Sequence, residues 1–129
     1  MMKVSTYLDF KHNAEEVIET YEEIFEAEVV CKYYYDEDMT QDQELIGKIF
    51  HAELKIGDLN LYVSDSGTSP SFASIKFVIE IHEENEARKL FGNLAQNGKI
   101  ISEFKKMPFG PTIAKLEDEF GIKWDVVIC

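Results

Sequence analysis

Two cysteines are all that the 129 residues contain, Cys31 inside a β-rich run and Cys129 at the last position. They have no regular spacing, so a disulfide framework is disfavoured and both read as reduced thiols in a reducing compartment. Basic side chains are scarce as well. Thirteen Lys and Arg face 25 Asp and Glu, a net charge of −12, and the one basic cluster is Lys105-Lys106. Such a surface repels phosphates and anionic headgroups, which argues against nucleic acid and membrane partners. The chain also lacks a run of about 18 apolar residues, and Met1-Met2-Lys3-Val4-Ser5 opens no stretch of the length a secretion signal needs. A cytoplasmic protein is expected. Gly110 and Gly121 are isolated, so no phosphate-cradling glycine loop is present.

What the chain does have is apolar material, 45% of its residues, enough for one folded domain with a real core. That material is arranged twice in the same order. Val4 to Phe10 reads as a strand, and Asn13 with Glu16 as a helix N-cap and its capping-box partner. Val17, Ile18, Tyr21, Ile24 and Phe25 follow at helical spacing. Val29 to Tyr35 is the next strand, Asp36 to Glu44 an acidic loop, and Lys48 to Ile56 and Leu59 to Ser64 two strands turned by Gly57-Asp58. The second half repeats the plan. Ser74 to Ile81 is a strand, and Ala87, Leu90, Phe91, Leu94 and Ala95 form a helix stripe stopped by Asn97-Gly98. Lys99 to Phe104, Thr112 to Glu117 and Ile122 to Ile128 are strands. The fold class is therefore α+β, a single domain over 1–129 made of two βαβββ modules, 1–66 and 71–129. The acidic residues on the helices read as solvated faces, with a lesser role in attracting a cationic ligand.

The Gly57-Asp58 turn fixes a register. Ile56 pairs with Leu59, which sets Lys55 opposite Asn60, Glu53 opposite Tyr62 and His51 opposite Ser64, all six on one face. Phe50, Ala52, Leu54, Ile56, Leu59, Leu61 and Val63 take the other face, suited to a covering helix.

Several blocks resemble a known family. These are Tyr7-Leu8-Asp9-Phe10 leading to Asn13-Ala14-Glu15-Glu16, His51 to Asp58 leading to Ser64-Asp65, Phe91 to Lys99, and Asp118 to Trp124. Together they resemble the PhnB-like branch of the vicinal oxygen chelate superfamily, in the right order over nearly the whole chain. The resemblance implies paired modules curling into a cup-shaped mixed sheet with helices outside, the glyoxalase/bleomycin resistance arrangement, and a homodimer. The superfamily includes glyoxalases, extradiol dioxygenases, fosfomycin-modifying enzymes and bleomycin-binding proteins, so the fold by itself does not settle the function. The branch carries labels linked to phosphonate metabolism and methyl transfer, and no residue pattern here supports either. Phe109 stands where a Trp is usual and Ala114 where a Gly is usual.

In metal-dependent relatives the first and last strands of each module supply the ligands. The resemblance maps those places onto Thr6, Tyr62, Ser74 and Asp125, the last within a DPxGxxxE-like pattern matched by Asp118, Gly121 and Asp125. Three of the four are poor ligands for a divalent ion. His51 and Asp125 remain as metal candidates, and otherwise the cofactor is none or an unknown divalent metal. Catalytic candidates are Glu53 and Asp125. Ligand-binding candidates are Thr6, His51, Glu53, Tyr62 and Ser64, with Ser74, Phe109 and Asp125. Tyr7, Phe72 and Trp124 are further aromatics for the cup. Cys31 alternates with Tyr33 and Tyr35 and reads as a core thiol, while His12 and His82 read as residues flanking helix starts. The favoured reading is a protein that binds a small molecule without a conventional metal site. The alternative is a metal-dependent lyase, isomerase or dioxygenase acting on vicinal oxygens.

Overall fold

The computed structural model describes all 129 residues, which form two compact units, Met1–Pro70 and Ser71–Cys129. In the first unit β1 (Thr6–Phe10) is followed by α1 (Ala14–Phe25), β2 (Glu28–Tyr34), β3 (Ile49–Ile56) and β4 (Leu59–Asp65), with sheet order β1-β4-β3-β2. In the second, β5 (Lys76–Ile81), α2 (Glu84–Ala95), β6 (Lys99–Lys106), β7 (Thr112–Glu117) and β8 (Lys123–Ile128) give the order β5-β8-β7-β6. In both, the first and last strands pair in parallel and the other neighbours antiparallel. The repeat read from the sequence is thus the same βαβββ topology built twice. No helix is long and apolar enough to cross a membrane.

Each helix covers one face of its own sheet. Ala14, Val17, Ile18 and Tyr21 of α1 are buried, as are Leu8, Phe10, Ala52, Leu54, Leu61 and Val63 of the strands. Burying one large apolar side chain contributes about 1.5–3 kcal/mol, against a few tenths for an exposed helical ion pair such as Glu84 with Arg88. The apolar stripe therefore sets how each helix lies, and the glutamates follow to the outside.

The start of α1 differs from expectation. Asn13 occupies the N-cap position but makes no side-chain cap. The buried Asp65 does the work instead: its Oδ1 accepts the Ala14 N–H at 3.0 Å and its Oδ2 the Ile49 N–H at 3.0 Å. Parallel pairing explains this, because Phe10 and Asp65 are partners in the ladder and the end of β4 arrives where α1 begins. A carboxylate there also sits favourably at the positive end of the helix. In α2 the cap is local, with the Glu83 carboxylate accepting from Asn85 N and Glu86 N.

The hairpin has the expected register, with Ile56 opposite Leu59, Lys55 opposite Asn60 and Glu53 opposite Tyr62. Phe50 is a correction. A bulge between Tyr33 and Tyr34 skips it, so Ile49 is buried while Phe50 points outward against the Tyr35 ring. Two strand starts also move. β1 begins at Thr6 and β5 at Lys76, which leaves Ser74 in the turn before the strand. In the second unit Asp118 holds the β7–β8 turn: its Oδ1 accepts from Phe120 N and Ile122 N, and its Oδ2 from Trp124 Nε1. Trp124 is accordingly buried in the core and does not line a ligand surface.

Candidate functional site

The face of the first sheet that α1 leaves uncovered carries a linked set of polar and aromatic side chains. Its centre is Glu53, opposite Tyr62 on β4 and opposite Cys31 on β2. One carboxylate oxygen, Oε2, accepts from His51 Nε2 at 3.1 Å and from Cys31 Sγ at 3.5 Å. A carboxylate can only accept, so the ring proton of a neutral His51 lies on Nε2. Its Nδ1 then accepts from the Tyr7 hydroxyl at 3.0 Å. The rings of Tyr7, His51 and Tyr62 surround this chain, with centroids 5.4–5.8 Å apart. These distances are those of edge-to-face aromatic packing.

The electrostatics follow from the contacts. The His51 imidazole beside Glu53 holds its carboxyl below the usual carboxylate range, partial desolvation opposing it and the Cys31 contact assisting. Burial pushes the Cys31 thiol up, and the adjacent Glu53 charge adds to that. The Cys31 thiol and the His51 ring thus converge on one carboxylate oxygen. Beside them Ser64 is buried and donates to Asp9 Oδ1 at 2.7 Å, so its hydroxyl is engaged across the β1–β4 pair and does not bond to His51.

Two of these positions depart from the sequence reading. Thr6 is opposite Leu61 and shares the helix-covered face with Leu8 and Phe10; Tyr7, opposite Tyr62, is on the polar face together with Asp9. Cys31 is not a core thiol. β2 is an edge strand whose outer half is largely exposed, with Tyr33 at 58% and Tyr34 at 42%, and Cys31 is half-buried against Glu53. Its cross-strand pairing depends on a bulge between Val29 and Cys31 that no sequence pattern announces.

The second module groups different chemistry. Asp125 Oδ2 is held by Lys115 Nζ at 2.8 Å and Lys76 Nζ at 2.9 Å. Burial would raise its pKa, and the two ammonium groups outweigh that and hold the carboxyl below the ordinary range. Lys123 Nζ donates to the Ala73 carbonyl at 3.0 Å. Ser74, Lys76, Lys115, Lys123 and Asp125 line a cavity of about 230 Å³. Asp125 thus lies in a lysine cluster, where its charge is compensated twice. Phe109 is 75% exposed in the β6–β7 loop. The four positions that the family resemblance offers for a metal therefore do not fit one here. They offer a threonine facing the helix, a phenol, an exposed serine and a lysine-bound carboxylate.

Protein YjdN of Escherichia coli (strain K12) is 26% identical over 136 residues, covering 95% of this chain and 92% of that protein. A PhnB protein from Bacillus cereus superposes with a TM-score of 0.85 at 25% identity, covering 99% of this chain and all of that one. A glyoxylase/bleomycin resistance protein/dioxygenase domain from Frankia superposes with a TM-score of 0.70 over 99% of this chain and 98% of that one, at 13% identity, which bears on the fold alone. The family described as 3-demethylubiquinone-9 3-methyltransferase matches residues 2–127, so the chain belongs to that family, the PhnB-like branch of the vicinal oxygen chelate superfamily.

Proposed function

We propose that the protein binds a small molecule on the uncovered face of its first sheet, without a metal at the positions usual for the superfamily. The observation that carries this reading is the ring of Tyr7, His51 and Tyr62 around the Glu53 carboxylate. Tyr7 is 47% exposed on that face. Aromatic faces beside a carboxylate suit a cationic or hydrogen-bond-donating aromatic ligand: the rings attract a cation through their quadrupoles and the carboxylate fixes its donor. The net charge of −12 favours approach of such a ligand. A homodimer belongs to the same proposal, supported by exposed Val78, Ile100 and Ile101 on the second module. Light scattering at a mass of two chains tests it, and a single-chain mass overturns it.

Calorimetric titration with a panel of cationic aromatics tests the binding reading. The expected result is at least one ligand tighter than millimolar, with Glu53→Gln and Tyr62→Ala each weakening it about tenfold or more, as loss of a charge-assisted contact or an aromatic wall does. Nothing tighter than millimolar across the panel overturns it.

A further inference from the structure

Cys31 Sγ, His51 Nε2 and a Glu53 carboxylate oxygen all lie within 4.8 Å of one another, on two neighbouring strands. Two of their three spacings are close to the edges of a tetrahedral metal centre. With metal–donor bonds of about 2.3 Å for sulfur and about 2.0 Å for nitrogen and oxygen, tetrahedral angles put N and O about 3.3 Å apart and S and O about 3.5 Å apart. The observed separations are 3.1 Å for His51 to Glu53 and 3.5 Å for Cys31 to Glu53. The remaining edge, sulfur to nitrogen, likewise needs about 3.5 Å and is no longer than 4.8 Å here, so the two side chains close by at most about 1.3 Å.

We infer that Cys31, His51 and Glu53 form a binding site for a zinc-class divalent ion, with one coordination position left open. The donor set selects the metal. A thiolate with an imidazole and one carboxylate oxygen suits zinc, whereas calcium and magnesium require oxygen shells that this face does not supply. Tyr7 completes the arrangement. On binding, the thiol proton leaves to solvent and the imidazole tautomer changes from Nε2–H to Nδ1–H; the Tyr7 hydroxyl turns its own proton to solvent and its oxygen, 3.0 Å away, accepts a hydrogen bond from Nδ1–H. That is the outer-shell contact that orients a metal-bound histidine. The three ligands lie on β2 and β3, and none comes from the first or last strand of the module. The site uses the face proposed above for a small molecule, yet does not depend on one, because the ion is bound by the chain alone.

The test uses the full chain in a Cys129→Ser background, so that Cys31 is the sole thiol, with zinc or cobalt(II) as the only addition. One equivalent of cobalt is expected, giving tetrahedral d–d bands and a thiolate-to-cobalt charge-transfer band that zinc abolishes. Cys31→Ser is expected to remove the charge-transfer band, His51→Ala and Glu53→Gln to weaken binding at least tenfold, and Tyr7→Phe to weaken it about tenfold. Asp125→Asn should leave binding unchanged. A second measurement guards against a variant that fails to fold: zinc should slow alkylation of Cys31 in the otherwise unaltered chain at least tenfold. Absence of cobalt bands with no zinc protection of Cys31 overturns the inference, as does a charge-transfer band that survives Cys31→Ser. An organic ligand that binds while both metal readouts fail would overturn this inference and leave the binding proposal standing.

Discussion

At the scale of single residues, three buried carboxylates carry three distinct duties. Asp65 joins a helix start to a strand start through two backbone amides. Asp65→Ala strands both donors in the interior, and about 2–4 kcal/mol of stability is expected to go, read as a fall in the urea midpoint at constant slope. Asp118 serves a turn and the Trp124 indole. Asp125 is held by two lysines that keep a substantial part of their surface in water, so its contribution is nearer 1 kcal/mol than the value of a fully buried pair. Its sign against pH is fixed. The folded pKa lies below the unfolded one, so the stabilisation is complete above about pH 4–5 and is lost as pH falls through the folded value. The stability difference between the parent and Asp125→Asn is therefore expected to shrink in acid. An undiminished difference at low pH contradicts the ion-pair account. Asp65 and Asp118 were legible in the sequence only as members of family-like blocks, because each bonds to groups whose proximity is created by strand pairing or by a turn closing.

At the scale of elements, periodicity and turn chemistry specify most of what is observed. All eight strands and both helices are legible, since each helix has a buried stripe at 3.6 spacing and the strands between them are bounded by turn residues. The Gly57-Asp58 turn even gives the pairing of Glu53 with Tyr62. What escapes is one-residue phase. The bulges near Cys31 and Phe50, and the parallel register that puts Tyr7 rather than Thr6 on the polar face, depend on non-local backbone fit. The candidate site was thus half legible: His51, Glu53 and Tyr62 from the hairpin, Cys31 only from the folded sheet. Two glycines separate the kinds of constraint involved. Gly57 has φ of 58° and open space around a would-be Cβ, so Gly57→Ala should cost only the left-handed backbone term, about 1–2 kcal/mol. Gly98 has no such φ, but a Cβ there would strike the backbone of Glu117 and Asp118. Gly98→Ala is expected to cost more, about 2–3 kcal/mol, because rigid backbone must shift. Thermal melts of the two variants check the order.

At the scale of the whole molecule, one topology is built twice and then furnished differently. The uncovered face of the first sheet gathers a carboxylate, a thiol, an imidazole and phenols, whereas Asp125 and three lysines gather in the second unit. The two copies of the topology thus carry different chemistry, and the proposed binding lies in the first unit. Because the net charge is −12, affinity for a cationic ligand should fall as salt rises. The most direct test of the central claim is a two-dimensional amide NMR titration of the intact chain with a cationic aromatic found by calorimetry. The largest shift changes are expected at Tyr7, Cys31, His51, Glu53 and Tyr62. Changes centred instead on Ser74, Lys76, Lys115 and Asp125 would contradict it.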